Sequence, residues 1–179
     1  VAFPAGLEEI EISGRIDLIE RHSGTGLRRV LDYKTGSKGT LPAPAHLKAL
    51  RGKASSDIPD WQICHYQGRP HKWINLQLPF YVWIASSQGH GDVTTGYVNL
   101  PAASSESAVN LWEELDDELV ASAMECARGV IRSIKAARFW PPAASVDFDD
   151  FKPLWFDSPG ESVDPALLLK YEELRRASA

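Results

Sequence analysis

Residues 10–20 read IEISGRIDLIE, in which apolar and polar side chains alternate and β-branched residues recur; after SGTG the alternation resumes in LRRVLDYKT. A period of two on both sides of a short glycine-containing turn predicts a β-hairpin. With the turn at residues 23–26, His22 faces Leu27, Asp17 faces Asp32 and Arg15 faces Lys34. Ile12, Ile16, Leu18, Leu31 and Tyr33 then share the face that a core would bury. Residues 37–69, rich in Pro, Gly, Ser and Lys, have no clear period and predict a long loop, the larger part of a basic insertion spanning 37–72. WINLQLPFYVWIASSQ carries apolar residues at helical spacing, starts or kinks near Pro79, and is ended by Gly89 and Gly91. DVTTGYVNL predicts a strand. A long amphipathic helix is expected from about Leu111 to Arg138, with Asn110 and Glu113 as a capping box and a buried stripe of Leu111, Leu115, Leu119, Ala123, Ala127, Val130 and Ile134. FWPP stops it. DFDDFKPLWFDSPGE then reads as an irregular arm, and DPALLLKYEELRR as a closing helix. The pattern divides into a core at 1–140 and a C-terminal arm with its helix at 141–179.

Composition adds bounds. With 179 residues, 44% hydrophobic and 24% charged, the chain is long enough for one sizeable core. LPFYVWIA is too short to cross a bilayer, so no membrane partner is expected. The first residue is Val1 and no basic segment precedes an apolar stretch, which predicts no signal peptide and suggests a piece of a longer chain. Cys64 and Cys126 lie far apart, without metal-ligand spacing, and suit a reducing compartment such as the cytoplasm. The net charge of −5 is unevenly spread: residues 34–72 carry +5, and the remainder −10. Such segregation suits a phosphate-facing surface, with HLKALRGK and GRPHKW contacting phosphates or docking the domain onto a larger machine; the alternative is a solvated loop. Cys64, His65 and His71 make at most a partial zinc site, since a fourth ligand is missing.

The candidate chemistry sits in VLDYKTG. Asp32 and Lys34 lie two apart in a strand and therefore on one face. Opposed carboxylates destabilise a sheet. A divalent cation would relieve the repulsion between Asp17 and Asp32, and all-oxygen ligation suits Mg2+ or Mn2+. Lys34 would then polarise a water or hold a phosphate oxygen, as metal-assisted phosphodiester hydrolysis requires. The plain alternative is an exposed hairpin face on which Arg15 pairs with Asp17 or Asp32.

The ordered motifs GRIDLIE, LDYKTG and LQLPFYVW resemble the PD-(D/E)xK nuclease superfamily, in particular its RecB/AddB-type exonuclease branch, over roughly residues 14–100. The FWPP…DDF arm is similar to the end of nuclease domains fused to such helicases. The resemblance implies an α/β, restriction-endonuclease-like core, a mixed sheet with flanking helices. It implies Asp17, Asp32 and the Tyr33 carbonyl as ligands of Mg2+ or Mn2+, Asp17, Asp32 and Lys34 as catalytic residues with Lys34 activating water, and Gln77 and Tyr81 as positioning the DNA strand. Arg15, Thr35 and Lys38 are further expected DNA contacts. The implied function is exonucleolytic hydrolysis, on single strands, by the nuclease domain of a helicase–nuclease in double-strand-break repair and recombination, with DNA and a helicase domain or subunit as partners. The rival is an inactive nuclease-like module that binds DNA or braces a helicase. The family's upstream helix, source of a metal-binding histidine and glutamate, has no counterpart before the first strand. Some relatives clamp the domain with an iron–sulfur cluster on four cysteines; two distant cysteines predict none here, with Phe139, Trp140, Trp155 and Phe156 anchoring the arm by burial instead.

Overall fold

The computed structural model describes residues 2–50, 58–89, 93–138, 153, 163–167 and 169–170. The chain separates into two compact units, 1–132 and 133–179. Of the second unit the described residues include the end of a helix and helical positions at 165–167 and 169–170. The expected aromatic anchors Phe139, Trp140, Trp155 and Phe156, and most of the expected arm and closing helix, lie outside the described residues.

In the first unit, β1 (Ala2–Leu7) pairs antiparallel with β2 (Ile10–Arg15). Their turn places Glu8 and Glu9 at φ of 49° and 61°, left-handed values that a two-residue hairpin demands but side chains rarely adopt. A four-stranded sheet follows in the order β3 (Leu18–Arg21), β4 (Arg28–Lys34), β8 (Val93–Asn99) and β9 (Ala108–Leu111). β4 is antiparallel to β3 and parallel to β8. Its Val30 and Leu31 are each 1% exposed although they point to opposite faces, the mark of a strand covered on both sides.

Hydrophobic spacing places α2 (Gln77–Ser87), with Pro79 in its first turn where a missing N–H costs nothing. Its Leu78, Tyr81, Ile84 and Ala85 join Val30, Tyr97 and Trp73 in one core. α3 (Asp117–Lys135) adds Leu119, Ala123, Met124 and Cys126 to it. This mixed sheet with flanking helices is the expected α/β architecture.

Several local expectations need correction. The residue 10–20 stretch is not one hairpin arm: β2 leaves for β1, so Arg15 is opposite Ala2 rather than Lys34. The predicted register survives in the pairs Leu18 with Leu31 and Arg21 with Arg28, but the ladder stops before Asp17. Tyr33 is not core; it is 43% exposed. The insertion is not structureless. It holds α1 (Pro42–His46) and a three-stranded sheet in the order β5 (Leu47–Ala49), β7 (Arg69–Trp73), β6 (Ile63–Tyr66). The last helix begins at Asp117, not Leu111, because 108–111 supplies the edge strand beside β8. Asp116, rather than Asn110, caps it, accepting the Leu119 N–H at 2.8 Å. Of the expected stripe Leu119, Ala123 and Ala127 are buried, whereas Val130 and Ile134 are exposed.

Candidate active site

The end of β4 delivers the chemistry. Asp32 is only 5% exposed, and a carboxylate so placed needs partners. Lys34, on the same strand face, supplies one: its Nζ lies 2.7 Å from Asp32 Oδ2. Gln77, the first residue of α2, supplies the other and joins the pair. Its Nε2 donates to Asp32 Oδ1 at 2.9 Å and to the Tyr81 hydroxyl at 3.1 Å, while its Oε1 accepts from Lys34 Nζ at 3.1 Å. The amide orientation is therefore dictated: oxygen toward the ammonium, nitrogen toward the carboxylate. Tyr81, one turn on, donates to the Arg15 carbonyl at 3.0 Å and thereby ties α2 to the end of β2.

Asp17 reaches the site by another route. Beyond the end of the β3–β4 ladder its Oδ2 accepts the Tyr33 N–H at 3.1 Å, taking the place of a strand partner. The Lys34 carbonyl accepts the Leu100 N–H on the β8 side, so by strand alternation Tyr33 turns its N–H and carbonyl the other way, toward Asp17. Asp17 thus meets β4 through the Tyr33 backbone beyond the end of the ladder, rather than facing Asp32 across it as the hairpin register predicts. Burial raises the Tyr81 phenol above its ordinary value, and the charges of Asp32 and Asp17 raise it further, so the hydroxyl keeps its proton.

Three supporting residues escaped the sequence reading. Tyr97, opposite Asp32 in the parallel ladder, places its ring 4.7 Å from Lys34 Nζ. His46 is fully buried: its Nε2 accepts the Leu78 N–H at the start of α2, which leaves the proton on Nδ1 to donate to the Pro42 carbonyl at 2.8 Å. Desolvation lowers its pKa to about 4, opposed by the Pro42 carbonyl and helped by the Lys34 charge. It is thus a neutral bracket for the helix that carries Gln77. Asn99, 1% exposed, holds the loop after Lys34 through the Thr40 N–H and carbonyl at 2.7 and 3.0 Å. His46 hides in a stretch without periodicity, and Asn99 in a strand that also carries the polar Thr94 and Thr95, so neither is singled out by pattern. Arg15, Thr35 and Lys38 are exposed. Among the described residues no hydrogen bond or ion pair brings Thr35 or Lys38 to the carboxylates, and Arg15 contributes its backbone carbonyl.

A model of the PD-(D/E)XK nuclease superfamily matches residues 1–147. The chain belongs to the PD-(D/E)XK nuclease superfamily. No curated protein and no solved structure matches it.

The donor set of this nuclease-superfamily site fits a hard divalent cation. Two carboxylates and a backbone carbonyl offer oxygen alone, and Asp17 keeps one oxygen without a hydrogen bond among the described residues. Among the described residues no three His, Cys, Asp or Glu side chains gather. That sparse set suits an ion such as Mg2+ that retains waters and takes substrate phosphate as a ligand. Cys64 and His71 oppose each other in β6 and β7 with Cys64 buried, and the partial zinc set gains no further ligand there. No helix among the described residues is long and apolar enough to cross a membrane.

Proposed function

We propose that this superfamily member is a divalent-metal-dependent deoxyribonuclease, acting as an exonuclease on single strands within a helicase–nuclease that processes double-strand breaks in the cytoplasm. The observation that carries the hydrolytic reading is the Gln77 amide, hydrogen-bonded at once to Asp32 and Lys34. It holds a buried anion and a cation in fixed register, the preorganisation that phosphoryl chemistry rewards. Asp17, Asp32 and the Tyr33 carbonyl would hold Mg2+ or Mn2+, which when bound offsets charge developing on the phosphate oxygens. Lys34 orients the attacking water and balances the same charge. Gln77 keeps Lys34 aimed, Tyr81 fixes Gln77, and Arg15, Thr35 and Lys38 contact the DNA backbone. The order of motifs and the basic insertion support the RecB/AddB-type, strand-processing role.

The test is calorimetric titration of Mn2+ into the chain and into Asp32→Ala, with Mg2+-dependent cleavage of end-labelled single-stranded DNA. Metal binding lost in Asp32→Ala, and a rate lowered about 100-fold or more in Lys34→Ala, are the expected results. A folded wild-type chain that binds no metal and leaves DNA uncut overturns the proposal. The scaffold reading, favoured by the absence of a third side-chain ligand among the described residues, then gains if DNA is still bound.

A further inference from the structure

The insertion sheet carries a cationic face without a counterion among the described residues. Strand alternation puts Leu47, Trp73 and Cys64 inward, where all three are buried. Lys48, Lys72, Ile63, Pro70 and His65 therefore point outward. Lys48 and Lys72 are direct cross-strand partners. Side chains so placed have Cβ atoms about 5 Å apart, and like charges there oppose pairing. Within the sheet no acid relieves them, for β5, β6 and β7 contain neither Asp nor Glu. Neither lysine forms an ion pair among the described residues, whereas Arg29, Arg128 and Arg132, elsewhere in the chain, pair with Glu20, Glu125 and Glu8.

Position gives this face a role. The adjoining Leu47–Trp73 row abuts the start of α2: the His46 carbonyl accepts the Ile74 N–H at 2.9 Å, and the His46 ring accepts that of Leu78. The lysine row therefore lies two residues along the chain from His46, the bracket that seats Gln77. Two neighbouring cations without counterions among the described residues, beside the proposed nuclease site, match successive phosphates of a polynucleotide.

We propose that Lys48 and Lys72 form a phosphate clamp on the outward face of the insertion sheet, holding the DNA strand that leads to the Asp32–Lys34 site; this rests on the nuclease reading above. The clamp grips the backbone and is indifferent to base sequence.

The experiment measures the affinity of the full chain for a fluorescent 20-nucleotide single strand in EDTA, by anisotropy, across a salt series. Each phosphate contact on a single strand contributes about 0.7 to the slope of log K against log[salt]. Lys48→Gln with Lys72→Gln should reduce that slope by about 1.4, which at 0.1 M salt is about 25-fold weaker binding. Lys48→Arg with Lys72→Arg should retain the slope. Arg128→Gln with Arg132→Gln, a charge-matched change on α3, should retain it too. An unchanged slope in the Lys→Gln pair, or an equal fall in the α3 pair, overturns the clamp while leaving the nuclease reading intact. A wild-type chain that binds no DNA at any salt overturns both.

Discussion

Gln77→Glu replaces the bridging amide with a carboxylate of the same shape and isolates the electrostatics of the site. The oxygen that replaces Nε2 would face Asp32 Oδ1 at the 2.9 Å and the Tyr81 hydroxyl at the 3.1 Å that Nε2 now occupies, with no hydrogen between it and Asp32. One hydrogen bond to a charged group disappears, worth about 1.5–3 kcal/mol. Two carboxylates about 4 Å apart repel by about 4 kcal/mol at the effective dielectric of a protein surface. Lys34, already 3.1 Å from Gln77 Oε1 and 2.7 Å from Asp32, would touch both carboxylates and offset a similar amount. The net expectation is a loss of about 2 kcal/mol at pH 7. The sign with pH follows. The introduced carboxyl binds its proton more tightly when folded than when unfolded, so its stability contribution is complete below about pH 4.3 and is lost as pH rises through its folded value. A penalty of about 2 kcal/mol corresponds to a rise of about 1.5 pH units, so the deficit against wild type should close between about pH 6 and pH 4. Urea unfolding of both proteins in EDTA from pH 4 to 8 measures it. A deficit that is constant with pH would refute the placement of this amide against Asp32.

His46, held down to about 4, has the opposite sense: as pH falls below the ordinary 6.5 the unfolded chain takes the proton first, so up to about 3 kcal/mol of stability disappears by pH 4. Urea midpoints of wild type and His46→Gln should converge over that window, and parallel curves would count against it. Gly129 of α3 lies under Trp61, whose ring a Cβ would meet at 2.2 Å. Gly129→Ala should therefore cost about 1–3 kcal/mol despite its better helix propensity, and Trp61→Leu in the same chain should recover much of it, read by thermal melting. Glu9→Gly relieves the left-handed backbone at φ 61° in the β1–β2 turn and should add about 0.5–1 kcal/mol; a lower unfolding midpoint would contradict that.

Much of the site was readable because it is local. Asp32 and Lys34 share a face through strand alternation alone, and the register of Leu18 with Leu31 follows from the SGTG turn and the apolar pattern. α2 and β8 announced themselves by period, whereas Gln77 and Tyr81 were marked by the resemblance of LQLPFYVW to the nuclease motif, with which their spacing of one turn agrees. The break before Asp17 was invisible, since a continuous alternation conceals a change of partner from β1 to β4. The insertion sheet was missed because its strands, Leu47–Ala49, Ile63–Tyr66 and Arg69–Trp73, are too short for a period to register. Leu111 fits a helix stripe as well as a strand, and the open edge of β8 drew 108–111 into the sheet.

The sequence by itself determined which side chains travel together: a carboxylate and an ammonium on one strand face, an amide and a phenol on one helix face. Backbone geometry fixes those relations within a few residues. Only the tertiary structure decided that Gln77 would span Asp32 and Lys34, 45 and 43 residues away, that Asp17 would finish a ladder instead of facing its partner, and that a buried His46 would seat the helix. Those meetings arise where α2 packs on β4 and β8 through Leu78, Tyr81 and Ile84, a long-range fit of surfaces that no local period encodes.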